Sequence, residues 1–238
     1  MGFPLAVLHE DSHLIAVDKP AGVLTQGLSG GEPTLEDAVR RHLLDCGEPG
    51  AVSPFLGTVH RLDRPVSGVV VWAKTLKAAR RLSAQFASRT ASKEYWAVSA
   101  PSSSFESENQ GIWDDWLTPT ADTLGVVRVV HPDTARAKRA ITRFLLDRSR
   151  LDSEGLVLLR LIPETGRTHQ LRAQAAAHGL PILGDLPYGS QQPFAKGVAL
   201  HAVRLDLDHP ITKERLEITA PPPATWGNLT TRFDVNLL

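Results

Sequence analysis

Cysteine is almost absent from this 238-residue chain: Cys46 stands alone, which excludes a disulfide framework and a thiolate metal cage. No stretch of about 18 apolar residues occurs, so no transmembrane helix is expected. The first residues, Met1-Gly2-Phe3-Pro4-Leu5-Ala6, carry no basic segment, and Ala6 occupies the place where a myristoylation signal needs Ser or Thr. Net charge is also lacking, with 26 Lys+Arg against 26 Asp+Glu. No repeat of 20–50 residues is visible, which argues against a solenoid. The glycines at 27, 30 and 31 do not make a phosphate loop between a strand and a helix. His169, His178 and His201 lack the spacing of metal ligands, and no metal site is expected. What remains is an ordinary globular composition, 42% hydrophobic and 22% charged, expected to be soluble and cytoplasmic. A compact chain of this length buries about 70% of its extended surface.

The charges are unevenly spread. Residues 60–93 hold eight Lys/Arg against Asp63 alone, and residues 136–172 hold nine against four acids. Such segregation suits a basic face for a polyanion, and equally a set of solvated helix and strand faces.

Hydrophobic pattern places strands at Leu14–Val17, at Val69–Ala73, at Lys93–Ser99, and near 125–130, 138–146, 155–162, 199–207 and 215–219. Helices are expected after Thr34 and Thr75, each a fitting N-cap, and from Thr168 to His178 with Gly179 closing it. Residues 26–33 and 46–57 read as loops, and 101–123 as a connection or insertion. Helices and strands do not alternate regularly, and the late strands follow one another. One α+β domain is expected over residues 1–238, with a mixed, mostly antiparallel central sheet flanked by helices.

Three segments could carry chemistry. In His60-Arg61-Leu62-Asp63-Arg64-Pro65-Val66-Ser67-Gly68, an acid lies between two arginines just before a buried strand, and Pro65 disfavours helix at Arg64. A carboxylate there is rigidly supported and accessible, as a nucleophile or base must be, and neighbouring guanidinium groups favour an ionised acid. A simple ion pair of Asp63 with Arg61 or Arg64 is the plainer reading. In Glu164-Thr165-Gly166-Arg167-Thr168-His169-Gln170-Leu171-Arg172, a glycine turn opens a helix whose polar groups can hold an anion or merely cap the helix. In Lys93-Glu94-Tyr95, the tyrosine can stack on a base or fill a strand core. His-Arg-Leu-Asp alone also fits a kinase catalytic loop, but no Asp-Phe-Gly or glycine-rich nucleotide loop accompanies it.

Together these segments resemble the RluA-type family of RNA pseudouridine synthases. The resemblance begins at Asp18-Lys19-Pro20-Ala21-Gly22-Val23 and runs through the three segments above. It continues at Gly184-Asp185-x-x-Tyr188-Gly189 and ends at Leu200-His201-Ala202, so it spans nearly the whole chain. It implies the pseudouridine synthase catalytic fold with a central active-site cleft, and isomerisation of uridine in structured rRNA or tRNA without metal or organic cofactor. It also implies catalytic roles for Asp63, for Tyr95 packing on the target base and for Arg167 pairing with the acid. Arg61 matches the arginine that enters the RNA stack; with Arg64, His60, Thr168, His169, Gln170 and Arg172 it makes up the expected RNA-binding set. Val66 stands where many members have Thr. No separate N-terminal RNA-binding domain is expected, and a monomer is expected. An RNA-binding protein without catalysis, or a hydrolase releasing free uracil, would be the competing functions.

Overall fold

The structure is a computed structural model that describes residues 3–27, 31–46, 54–102, 105, 108–119, 122–123, 125–147, 155–227 and 229. The chain divides into two compact units, Met1–Ser92 with Ala202–Pro221, and Lys93–His201 with Pro222–Leu238. It is mixed α+β, with eleven strands in a mostly antiparallel sheet and three α-helices among the described residues.

In the first unit the strands run β1 (Ala6–Glu10), β2 (Leu14–Lys19), β3 (Gly57–Thr58) and β4 (Ser67–Ala73). β2 pairs antiparallel with β1 and β4, and β3 also pairs with β4. β4, Ser-Gly-Val-Val-Val-Trp-Ala, is buried at every position. A run of β-branched residues without alternation suits a strand covered on both faces. Helix α1 (Leu35–Asp45) starts at a capping box in which Thr34 and Asp37 satisfy each other's exposed amides. Helix α2 (Leu76–Ser88) is capped by Thr75, whose hydroxyl accepts from Ala78 N–H at 3.2 Å. Its Ala78 and Leu82 join Leu14, Val69, Val71 and Leu205 in one apolar core.

The second unit holds β5 (Ser92–Ser99, beginning one residue before the unit), β6 (Gln110–Leu117), β7 (Val129–Val130), β8 (Lys138–Asp147) and β9 (Val157–Pro163). Their order is β5-β9-β8-β6-β7, and each neighbouring pair is antiparallel. Helix α3 (Gln170–Ala177) follows, and Gly179 takes the positive φ that ends it. β10 (Leu200–Asp208) carries the chain back into the first unit, where β11 (Arg215–Thr219) pairs with it. Gly68 has φ +116°, and a Cβ there would lie 2.2 Å from Ala202 O, so only glycine fits.

Three expectations are corrected. Residues 101–123 include a full strand, β6, paired with β8 along its whole length, and Trp113 is buried between Phe144 and His178. β1 and β3 were not anticipated. Helix α3 begins at Gln170 because its N-cap, His169, sits in the left-handed region at φ 52°. The loops expected at 26–33 and 46–57 lie partly outside the described residues, as do Arg148, Arg150, Asp152 and Glu154.

Candidate active site

In the first unit, Asp63 lies on the loop leading into β4, and that loop is tied down from the segment after β2. Gly22 N–H donates to Arg64 O at 2.8 Å, and Arg64 Nε donates back to Gly22 O at 3.1 Å. The Thr25 hydroxyl donates to Leu62 O at 2.7 Å and accepts from Leu62 N–H at 3.2 Å. Val66 N–H closes a turn onto Asp63 O at 3.1 Å. These bonds fix the backbone on both sides of Asp63 while its side chain keeps partial exposure. A carboxylate held this way needs little reorganisation to act.

Lys19 completes the clamp. It is fully buried, and its ammonium donates to Val66 O at 2.6 Å and to Arg64 O and Pro20 O at 3.1 Å each. Burial pulls its pKa down to about 7, against the opposing pull of Asp63 and Asp18. Asp18 is pushed up to about 6, by burial first, with the Lys19 charge opposing. The motif Asp18-Lys19-Pro20-Ala21-Gly22-Val23 was legible, but no role for Lys19 was: a lysine's burial and its carbonyl partners are set by the fold.

His60, Arg61 and Arg64 share this loop. His60 Nε2 accepts from Val71 N–H at 3.0 Å and its ring stacks on Phe86, so this imidazole braces the loop against α2 and β4. Arg64 forms an ion pair with Glu32 at 2.8 Å. Arg61 is exposed and has no ion pair among the described residues.

In the second unit, Tyr95 lies on β5, paired in register with Leu161 of β9 and only 8% exposed. The turn before α3 is pinned to β8. Glu164 N–H donates to Ile141 O, and the Thr165 hydroxyl accepts from Ile141 N–H and donates to Gln170 Oε1. Gln170 Oε1 also accepts from Arg167 N–H at 3.0 Å, while its amide nitrogen donates to Ile141 O and Thr142 Oγ1. Gln170 is therefore an internal strut, 4% exposed. The turn presents Gly166, Arg167 and Thr168 to solvent, with Arg167 Nε donating to Arg139 O at 3.0 Å.

Arg172 is likewise internal. It makes a two-pronged bond with Asp185, 2.7 Å at each oxygen, and its guanidinium lies 4.7 Å from the centre of the Tyr188 ring. His169 Nδ1 is 2.9 Å from the Tyr188 hydroxyl, which also accepts from Val127 N–H. The Asp185-x-x-Tyr188 motif thus holds the start of α3. Of the groups assigned to RNA from sequence, His60, Gln170 and Arg172 make internal bonds, whereas Arg61 and Thr168 are exposed and Arg64 is exposed in its ion pair.

The chain matches the family described as RNA pseudouridylate synthase over residues 13–177. It belongs to the RluA-type RNA pseudouridine synthases. The enzyme class is accordingly RNA pseudouridine synthase, an isomerase. The synthase is 35% identical over 228 residues to an uncharacterized RNA pseudouridine synthase, YhcT, of Bacillus subtilis, covering 94% of this chain and 71% of that protein. It is 33% identical to the ribosomal large subunit pseudouridine synthase D of Haemophilus ducreyi, covering 95% and 70%. To the tRNA pseudouridine synthase C of Pectobacterium carotovorum it is 32% identical, covering 96% and 62%. A solved human structure, RNA Pseudouridylate Synthase Domain Containing 4, shares the fold of the synthase with TM-score 0.75 at 23% identity, over 96% of this chain and 93% of that one. Among the described residues of the synthase, no group of three or more His, Cys, Asp or Glu is arranged to hold a metal ion, and no helix is long and apolar enough to cross a membrane.

Proposed function

We propose that the synthase converts uridine to pseudouridine in structured rRNA or tRNA, with Asp63 as the acid that breaks the glycosidic bond. The observation that carries this reading is the clamped loop: Lys19, Gly22 and Thr25 fix the backbone around one accessible carboxylate. The relatives named for large-subunit rRNA and for tRNA supply the substrate class.

A stacked uridine hides its glycosidic bond, so the nucleotide must leave the stack at a cost of a few kcal/mol. Exposed Arg61 is the cation that fills the vacancy and offsets part of that cost. Ionised Asp63 then works at the sugar, at C1′ as nucleophile or at an adjacent carbon as base. The N1–C1′ bond breaks, the uracil turns, and C5 bonds to C1′. C5 loses its proton and N1 gains one, so the atoms balance and no water is consumed. Tyr95 packs on the base and Arg167 serves the acid, as the family pattern has them. Water must be kept out, or the detached uracil would be lost.

Asp63→Asn tests the reading. With uridine tritiated at C5 in transcribed large-subunit rRNA and in unmodified tRNA, tritium release should fall more than about 1,000-fold while RNA affinity and melting temperature hold. Turnover within tenfold of the unaltered enzyme would remove Asp63 from the chemistry, and free uracil as product would make the protein a hydrolase.

A further inference from the structure

Among the described cations of the second unit, Lys93 alone is neither exposed nor ion-paired. It is the first residue of β5 that belongs to that unit, and Tyr95 follows two positions later on the same face of the strand, about 7 Å along. Glu94 points the other way, where it binds Trp96 Nε1 at 2.9 Å and Arg160 Nε at 2.8 Å. The one acid adjacent in sequence is thus engaged elsewhere. Among the described residues Lys93 has no ion pair and no hydrogen bond, although its side chain is largely covered. A covered ammonium without a counter-ion is unfavourable, so such a group calls for an anion that arrives from outside.

The surroundings show where it would arrive. A Cβ built on Gly166 would lie 3.8 Å from Lys93 Nζ, and it would meet no other atom within 4 Å. The ammonium therefore sits beside the exposed, side-chain-free turn that bears Arg167, on a backbone that Thr165 and Gln170 hold rigid. Glu164, the nearest acid in sequence, pairs with Arg143 at 3.2 Å. Among the described residues neither Lys93 nor Arg167 has an ion pair, and the glycine turn beside them is open.

We propose that Lys93 and the Gly166 turn form a seat for an anionic oxygen of the target nucleotide, either a phosphate oxygen or the oxygen of the detached uracil. The idea rests on the reading that Tyr95 faces the target base, which puts Lys93 within one nucleotide's span of it. The ammonium acts as a point charge on a flexible stem, which suits either oxygen. It makes Lys93 a binding residue for the substrate, whereas Lys19 acts only through the loop that it holds.

Lys93→Met keeps the length of the stem and removes the charge. The variant should lose at least about tenfold in kcat/KM on the tritiated transcripts, with its melting temperature unchanged or raised because an unpaired covered charge is gone. Lys93→Arg should recover most of the loss. A loss carried by KM, with a flatter salt dependence of RNA binding in a filter assay, identifies the phosphate; a loss carried by kcat alone identifies the uracil. Kinetics and RNA binding both within twofold of the unaltered enzyme would overturn the seat. So would lost activity accompanied by a lower melting temperature, the mark of a structural lysine. Failure of the unaltered enzyme to form pseudouridine counts against the proposed function instead, and the filter assay then judges the seat by itself.

Discussion

Asp18 and Lys19 are neighbours in sequence, yet they bend the stability of the enzyme with pH in opposite directions. Asp18 is raised by burial to about 6. Between the ordinary aspartate value near 4 and this value, the folded state binds more protons than the unfolded one, so its contribution to stability falls as pH rises. Lys19 is lowered by burial to about 7. From there up to the ordinary lysine value near 10.4, the unfolded state binds more protons, so stability rises with pH. Unfolding in urea across pH 4–10 should show Asp18→Asn losing the downward limb below pH 6 and Lys19→Met losing the upward limb above pH 7. Lys19→Met should also be less stable at every pH, because Val66, Arg64 and Pro20 carbonyls lose their shared donor, each at about 1–3 kcal/mol where water cannot replace it. Parallel profiles for Lys19→Met and the unaltered chain would show that the buried ammonium does not titrate in this window.

Elements were legible in proportion to how local their signals are. Thr34 and Thr75 cap their helices where expected, since a hydroxyl before an apolar repeat is a signal contained in a few residues. The run Val69–Ala73 was readable as a buried strand for the same reason. β6 was not, because Gln110–Leu117 carries two aspartates and alternates poorly, and only pairing with β8 makes it a strand. Its burial depends on groups distant in sequence. Gln174 of α3 is fully buried; its amide nitrogen donates to Asp115 Oδ2 at 2.7 Å and Ala140 O at 3.1 Å, and its oxygen accepts from Thr142 Oγ1 at 2.6 Å. His178 reaches the same carboxylate at 3.0 Å while stacking on Trp113. Burial pushes Asp115 up, but its bonds to His178 and Gln174 outweigh this and leave it below the ordinary value. Gln174→Leu preserves volume and orphans these partners. It should cost about 2–4 kcal/mol, or about 5–15 °C in melting temperature, without touching the proposed chemistry. An unchanged melting temperature would mean that the network contributes nothing to docking α3 on β6.

Over the whole molecule the charges sum to zero, so affinity for RNA has to come from where they lie rather than from how many there are. The sequence already showed the basic bias of residues 60–93, but it could not separate cations that are engaged from those that are free. The structure does so in the first unit. Arg81 donates to Pro210 O at 2.6 Å, and Lys74 binds Glu10 at 2.7 Å, so both act within the fold. Lys77 and Arg80, exposed on α2, have no ion pair among the described residues. One turn apart on the helix, they project from the same side. Each phosphate contact that they make releases counter-ions, and losing two flattens the slope of log affinity against log salt by about 1.5. The double variant Lys77→Ala, Arg80→Ala should therefore bind transcribed rRNA or tRNA more weakly at low salt and converge with the unaltered enzyme at high salt. Its kcat should stay within twofold, since neither side chain belongs to the Asp63 loop or the Arg167 turn. An unchanged salt slope would place the RNA backbone on some other face of the enzyme, and a fall in kcat with unchanged affinity would show that these two cations serve the reaction rather than the grip.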